Sequence, residues 1–160
     1  MRKLLIFFTA SAAILAAAEN VEITADHFEA DQARKITEFI GNVHMKKGSD
    51  ELNASKVVVY FDEERKPIRY EAIGNSRFVI HMESGGYYRG KASKLVYWPK
   101  RELYELFGDV VLKEPKLERT IIGEKVIVEK RTGRANVEGD EGKPVKFIFK
   151  VEEPDGGENR

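Results

Sequence analysis

Phe39-Ile40-Gly41-Asn42-Val43, Ala72-Ile73-Gly74-Asn75-Ser76 and Leu106-Phe107-Gly108-Asp109-Val110 repeat one pattern: apolar residues, a glycine, a short polar side chain, then renewed alternation. Their glycines stand 33 and 34 residues apart. A second shared element follows each, as Ala54-Ser55-Lys56-Val57-Val58-Val59-Tyr60, Ala92-Ser93-Lys94-Leu95-Val96-Tyr97 and Gly123-Glu124-Lys125-Val126-Ile127-Val128. A duplicated supersecondary unit accounts for both series. Glycine and asparagine accept positive φ, so each Gly-Asn/Asp pair reads as a bulge or sharp bend where a strand turns a corner. Three like corners suit strands folded across one another rather than a flat sheet.

Outward from these corners the chain alternates with period two, as in Val126 and Val128 against Lys125 and Glu129, or Val145, Phe147, Phe149 and Val151 against Lys146 and Lys150. Period two means strands with one buried face. Turn residues punctuate them at 62–67, 83–86, 99–101, 131–134 and 139–142, through the φ preferences of Gly and Pro and the side-chain caps of Asp and Ser. Beyond the first 18 residues no stretch keeps a 3.6-residue period for three turns, so the expected fold class is all-β.

The chain has 160 residues, 27 basic and 27 acidic, for a formal net charge of +0. Without a basic excess or a long basic run it lacks the electrostatic footprint of nucleic-acid binding, and no nucleic-acid partner is expected. The absence of cysteine excludes a disulfide framework, a thiolate nucleophile, cysteine-bound metal and a lipid-modified N-terminal cysteine.

Arg2-Lys3, an apolar run from Leu4 to Leu15 and then Ala16-Ala17-Ala18 read as a secretory signal, residues 1–18, cleaved before Glu19. The run is shorter than the ~20 apolar residues a bilayer span needs. Residues 19–151 are the expected folded domain. Residues 152–160, acidic and almost without apolar side chains, are an expected disordered tail.

Candidate chemistry is sparse. His27, His44 and His81 have no second histidine within four residues, so none forms a metal-ligand pair, and no metal or other cofactor is expected. No serine stands in a Gly-x-Ser-x-Gly elbow. Glu102 and Glu105 read as a solvated acidic pair rather than an acid and base. The chain reads as a binding protein and not an enzyme. Nine Phe, six Tyr and one Trp supply a large apolar inventory. The residues themselves leave open whether it closes into a dry core or lines a groove.

The run Val21-Glu22-Ile23-Thr24-Ala25-Asp26, the corner at Phe39–Val43 and the segment Asn53–Val59 resemble the OstA-like family, in its periplasmic lipopolysaccharide-transport branch. The similarity continues through Gly90–Tyr97, Leu106–Leu112, Ile122–Lys125 and Gly142–Val145, about 125 residues in all, in matching order. The resemblance implies a twisted, V-shaped, open β-jellyroll of antiparallel strands. It also implies periplasmic location, binding of lipid A acyl chains in an apolar groove, and head-to-tail self-association that bridges the inner and outer membranes. The implied partners are lipopolysaccharide, an LptC-like inner-membrane protein and an LptD-like outer-membrane protein. No phosphate-binding loop is present, so energy for transport must come from a partner. Under this reading, alternation places Val21, Ile23, Val43, Met45, Val57, Val59, Phe78, Ile80, Leu95, Tyr97, Val110, Leu112, Val126 and Val128 along the lipid path. A one-residue bulge at any corner would exchange a strand's inner and outer sets. The competing expectation is a secreted β-sandwich, structural or carbohydrate-binding, with a filled core.

Overall fold

The computed structural model describes residues 19–153. The expected signal segment and residues 154–160 of the expected tail lie outside the described residues. Ten antiparallel strands form the fold: β1 (Val21–Thr24), β2 (His27–Asp31), β3 (Ile36–Lys47), β4 (Asp50–Phe61), β5 (Pro67–His81), β6 (Tyr87–Trp98), β7 (Leu103–Glu114), β8 (Arg119–Glu129), β9 (Ala135–Glu138) and β10 (Lys146–Phe149). The long strands β3 to β8 form a meander in sequence order. Both β1 and β2 pair with the outer side of β3, and both β9 and β10 with the outer side of β8. The two edges do not pair with each other, so the sheet stays open.

All six long strands bend along one crease. In β3, β5 and β7 the bend is the Gly-Asn/Asp pair, whose φ values are nearly equal: 82° and 45° at Gly41-Asn42, 81° and 48° at Gly74-Asn75, 78° and 46° at Gly108-Asp109. The three corners are thus the same corner three times, as the repeat implied. Gly108 also sits against its neighbour, since an added Cβ would lie 2.7 Å from Ser93 Oγ. Pairing jumps at each corner from Ile40/Lys56 to Val43/Ala54, from Ile73/Lys94 to Ser76/Ala92 and from Phe107/Lys125 to Val110/Gly123. Two residues on the odd-numbered strand oppose one on the even-numbered strand, the geometry of a bulge.

The crease divides the sheet into two half-sheets that fold together as a V. One half contains β2, the first parts of β3, β5 and β7, the second parts of β4, β6 and β8, and β9. The other contains β1, the complementary parts of β3 to β8, and β10. We call them the first and second half-sheets. The bulges settle which residues face inward. The odd-numbered strands gain two residues and keep parity, as in Ala72 and Phe78. The even-numbered strands gain one and switch, as in Leu52 and Ala54 before Val57 and Val59. All six of these side chains are buried where they face the opposite half-sheet.

Candidate functional site: the inner face of the V

Register lines the inner face up in rows that cross every strand. Next to the crease, the first half-sheet presents Phe39, Val57, Ala72, Leu95, Leu106, Val126 and Val137 as successive cross-strand partners. The row beyond it holds Val59, Tyr70, Tyr97, Tyr104 and Val128. On the second half-sheet the row nearest the crease is small, with Ala54, Ser76 and Ala92, which lets the halves approach closely. The next row runs Ile23, Met45, Leu52, Phe78, Gly90, Leu112, Ile121 and Phe147 from edge to edge. Gly90 has no room for more than hydrogen: an added Cβ would fall 1.9 Å from the Val111 carbonyl oxygen and 3.2 Å from Phe78 Cζ.

The interior is apolar at the crease and turns polar toward the mouth. Tyr97 stacks on Tyr104 at 4.5 Å between ring centres and tilts against Tyr70 at 5.9 Å. Burial, with a smaller push from Tyr97, raises the Tyr70 hydroxyl above its usual pKa. Burial likewise raises Tyr97. The Lys47 ammonium lies 5.4 Å over the Tyr97 ring and 2.8 Å from Glu19. Burial opposes its charge, yet Glu19 and Tyr97 hold its pKa up at about 12.

One polar clasp crosses the mouth. Asp50, only 6% exposed at the start of β4 in the second half-sheet, accepts 2.8 Å hydrogen bonds from the Tyr104 hydroxyl and the His81 backbone N–H. The Lys130 ammonium donates to the same carboxylate at 2.5 Å. Tyr104 and Lys130 belong to the first half-sheet, so the bonds join the two arms of the V. Desolvation and the neighbouring Asp50 charge push the Tyr104 phenol well above its ordinary value. One backbone bond across the V reinforces the closure, Glu83 N–H to the Lys130 carbonyl, while Lys130 N–H to the Glu102 carbonyl extends the β7–β8 pairing within the first half-sheet.

Twelve of the residues expected along the lipid path, Val43, Met45, Val57, Val59, Phe78, Ile80, Leu95, Tyr97, Val110, Leu112, Val126 and Val128, are buried on this inner face. Val21 and Ile23 are half-buried at the N-terminal edge and pack on the same cluster. Sequence reasoning missed the other half of each strand: Leu52, Tyr70, Tyr88, Tyr104 and Leu106 are equally buried. It also missed the clasp. Alternation continued through the corners, with the switch at even-numbered strands, would have found the first group.

At the edges the face opens. Phe28, 63% exposed on β2, stacks on Phe39 at one end, and Phe147 and Phe149 stand exposed on β10 at the other. Strands β1, β2, β9 and β10 each have one unpaired side. Among the described residues no helix is long and apolar enough to cross a membrane, and no group of three metal-ligating side chains is present.

Comparison with known proteins agrees with this architecture. A sequence comparison with curated proteins finds no match. Among solved structures, the fold matches LptH of Pseudomonas aeruginosa, described as the LptA-homologous periplasmic component of the conserved lipopolysaccharide transport device. The TM-score is 0.73 at 14% identity, over 83% of this chain and 96% of that one. The family model for LptA/(LptD N-terminal domain) LPS transport protein matches residues 22–134, from β1 to the turn before β9. On that match, and with the open, creased, all-β fold the family resemblance implied, this chain belongs to the LptA/(LptD N-terminal domain) LPS transport protein family.

Proposed function

We propose that the chain is a periplasmic carrier that shields the acyl chains of lipopolysaccharide between its two half-sheets, and that molecules join head to tail to bridge the inner and outer membranes. The carrying observation is the inner face itself, apolar from Ile23 at one edge to Phe147 at the other and unpaired at both ends. Shielding has a clear energetic purpose, because an acyl chain of about 13 methylenes costs roughly 10 kcal/mol to expose to water. The closed interior is filled by its own side chains, so acyl chains enter by prising the half-sheets apart and replacing contacts across the V. The taper suits an amphiphile: hydrocarbon toward the crease, polar end toward the mouth with Lys47 and the tyrosines.

Assembly uses the unpaired edges. Adding β10 of one molecule beside β1 of the next, and β9 beside β2, continues both half-sheets and the apolar face. Exposed Phe147 and Phe149 then meet half-buried Val21 and Ile23, while Phe28 meets Val137. Such contacts are heterologous and do not close, so filaments of variable length result. The LptC-like and LptD-like proteins would cap the two ends through the same edges.

Photo-crosslinking tests the lipid path. A photoreactive residue at Phe78 or Tyr97 captures lipopolysaccharide, and one at the outward Lys94 or Lys125 does not. Equal capture at both sets would overturn the reading. Sedimentation over a wide concentration range shows mass rising without plateau, and truncation after Pro144 leaves monomers. A strict monomer that still binds lipopolysaccharide would mean a shuttle instead of a bridge.

A further inference from the structure

The formal net charge of +0 hides two unlike outer surfaces, one neutralised and one basic. On the outside of the first half-sheet, cations and carboxylates neutralise each other. Lys56 pairs with Glu38 at 3.0 Å, and Arg69 and Lys94 both reach Glu71 at 3.4 and 3.7 Å. The second half-sheet is built the other way. Its outer rows place Arg77 directly opposite Lys91, and Arg89 directly opposite Lys113, on the central strands β5, β6 and β7. All four side chains are exposed, and none has an ion-pair partner among the described residues. On one side Lys146 of β10 extends the field, and on the other Lys46 closes it, opposite Glu22 and paired with Glu51 at 3.7 Å.

Like charges directly opposite on a sheet destabilise it. Two such pairs side by side, with no carboxylate between them, are a cost that an external anion would offset. From this arrangement we infer that the outer face of the second half-sheet docks on an anionic phospholipid surface. The geometry favours a membrane over a small phosphorylated solute. The cations lie in the plane of a broad sheet and do not converge on a point. Half-buried Val79, Val111 and Ile122 stand between them, offering an apolar floor to an interface rather than donors to a single phosphate. The attraction is electrostatic, about fivefold in affinity for each cation near the surface, and salt screens it. The lipid path on the inner face is not involved, so a molecule docked in this way keeps both edges free.

Vesicle co-sedimentation tests the inference, using the folded chain without its signal segment. Vesicles of phosphatidylcholine with one-third phosphatidylglycerol bind the protein at 50 mM salt and release it at 300 mM, and pure phosphatidylcholine vesicles do not bind. The double variant R89E/K113E loses at least tenfold in affinity. K66E/K100E, which changes net charge equally on exposed loops of the first half-sheet, loses less than threefold. Circular dichroism and the unchanged crosslinking of lipopolysaccharide at Phe78 show that R89E/K113E is folded. Equal losses in the two double variants would overturn the inference, reducing it to net charge. So would binding to lipopolysaccharide micelles without binding to phosphatidylglycerol vesicles, which would assign the patch to glycolipid phosphates. Salt-sensitive self-association without vesicle binding would likewise overturn it, pointing to the surface of a second copy.

Discussion

Replacing Asp50 by alanine removes the acceptor at the centre of the clasp. Three donors then lose their partner: the Tyr104 hydroxyl, the His81 N–H and the Lys130 ammonium, whose side chain is only 14% exposed. A buried ion pair broken from one side costs about 3–5 kcal/mol, because the remaining charge is left desolvated. Part of that is recovered if Lys130 swings into solvent, so about 3 kcal/mol is the expected loss for D50A. In a domain of this size that lowers Tm by roughly 10 °C. Urea denaturation at pH 7 measures it, with the m-value as a check that the unfolded state is unchanged. The double variant D50A/K130M should recover more than 1 kcal/mol over D50A, since no orphan charge remains. The same substitution loosens the mouth, so lipopolysaccharide uptake by D50A is faster than by the parent chain. A D50A loss below 1 kcal/mol with a parental m-value would refute the reasoning, showing that water solvates the carboxylate and that the clasp does not hold the V.

Four further outcomes follow from the same geometry. Tyr70, Tyr97 and Tyr104 have pKa values raised by burial, so the folded state resists their ionisation and stability is lost as pH rises above about 10, where the unfolded chain ionises; Y70F, which leaves the Asp50 clasp intact, should flatten this decline in denaturation curves at pH 9 to 11. Gly90→Ala should destabilise more than Gly108→Ala in thermal melts, because its Cβ meets a carbonyl oxygen at 1.9 Å whereas that of residue 108 meets a movable Ser93 hydroxyl at 2.7 Å, despite the positive φ there. Ser76→Ala should stabilise by about 1 kcal/mol in urea, since the buried hydroxyl has no partner among the described residues. Phe147→Ser with Phe149→Ser should leave Tm within a few degrees, both rings being exposed, while abolishing concentration-dependent mass in sedimentation.

Strand, turn and corner were legible in the sequence because each is decided by a residue and its immediate neighbours. Period-two alternation marks one buried face whatever lies opposite, and Gly-Asn/Asp tolerates the positive φ that only a corner demands. That is why Val43, Phe78, Leu95 and Val126 could be placed inward from sequence. The family resemblance rested on the order and spacing of the same local motifs. The tertiary structure decided what depends on register. Two residues opposing one at every corner keep parity in β3, β5 and β7 and switch it in β4, β6 and β8, so in the even-numbered strands the inward set of the other half needed the pairing itself. Asp50 meets Tyr104 and Lys130 across 54 and 80 residues of sequence. Arg89 faces Lys113 only because a bulge between the turn and that pair shifts the offset, whereas Arg77 faces Lys91 in the register that the turn at 82–86 sets. Alternation is a property of one strand, whereas a clasp or a charged face is a property of strands brought together, and the free energy that aligns them is summed over the whole sheet.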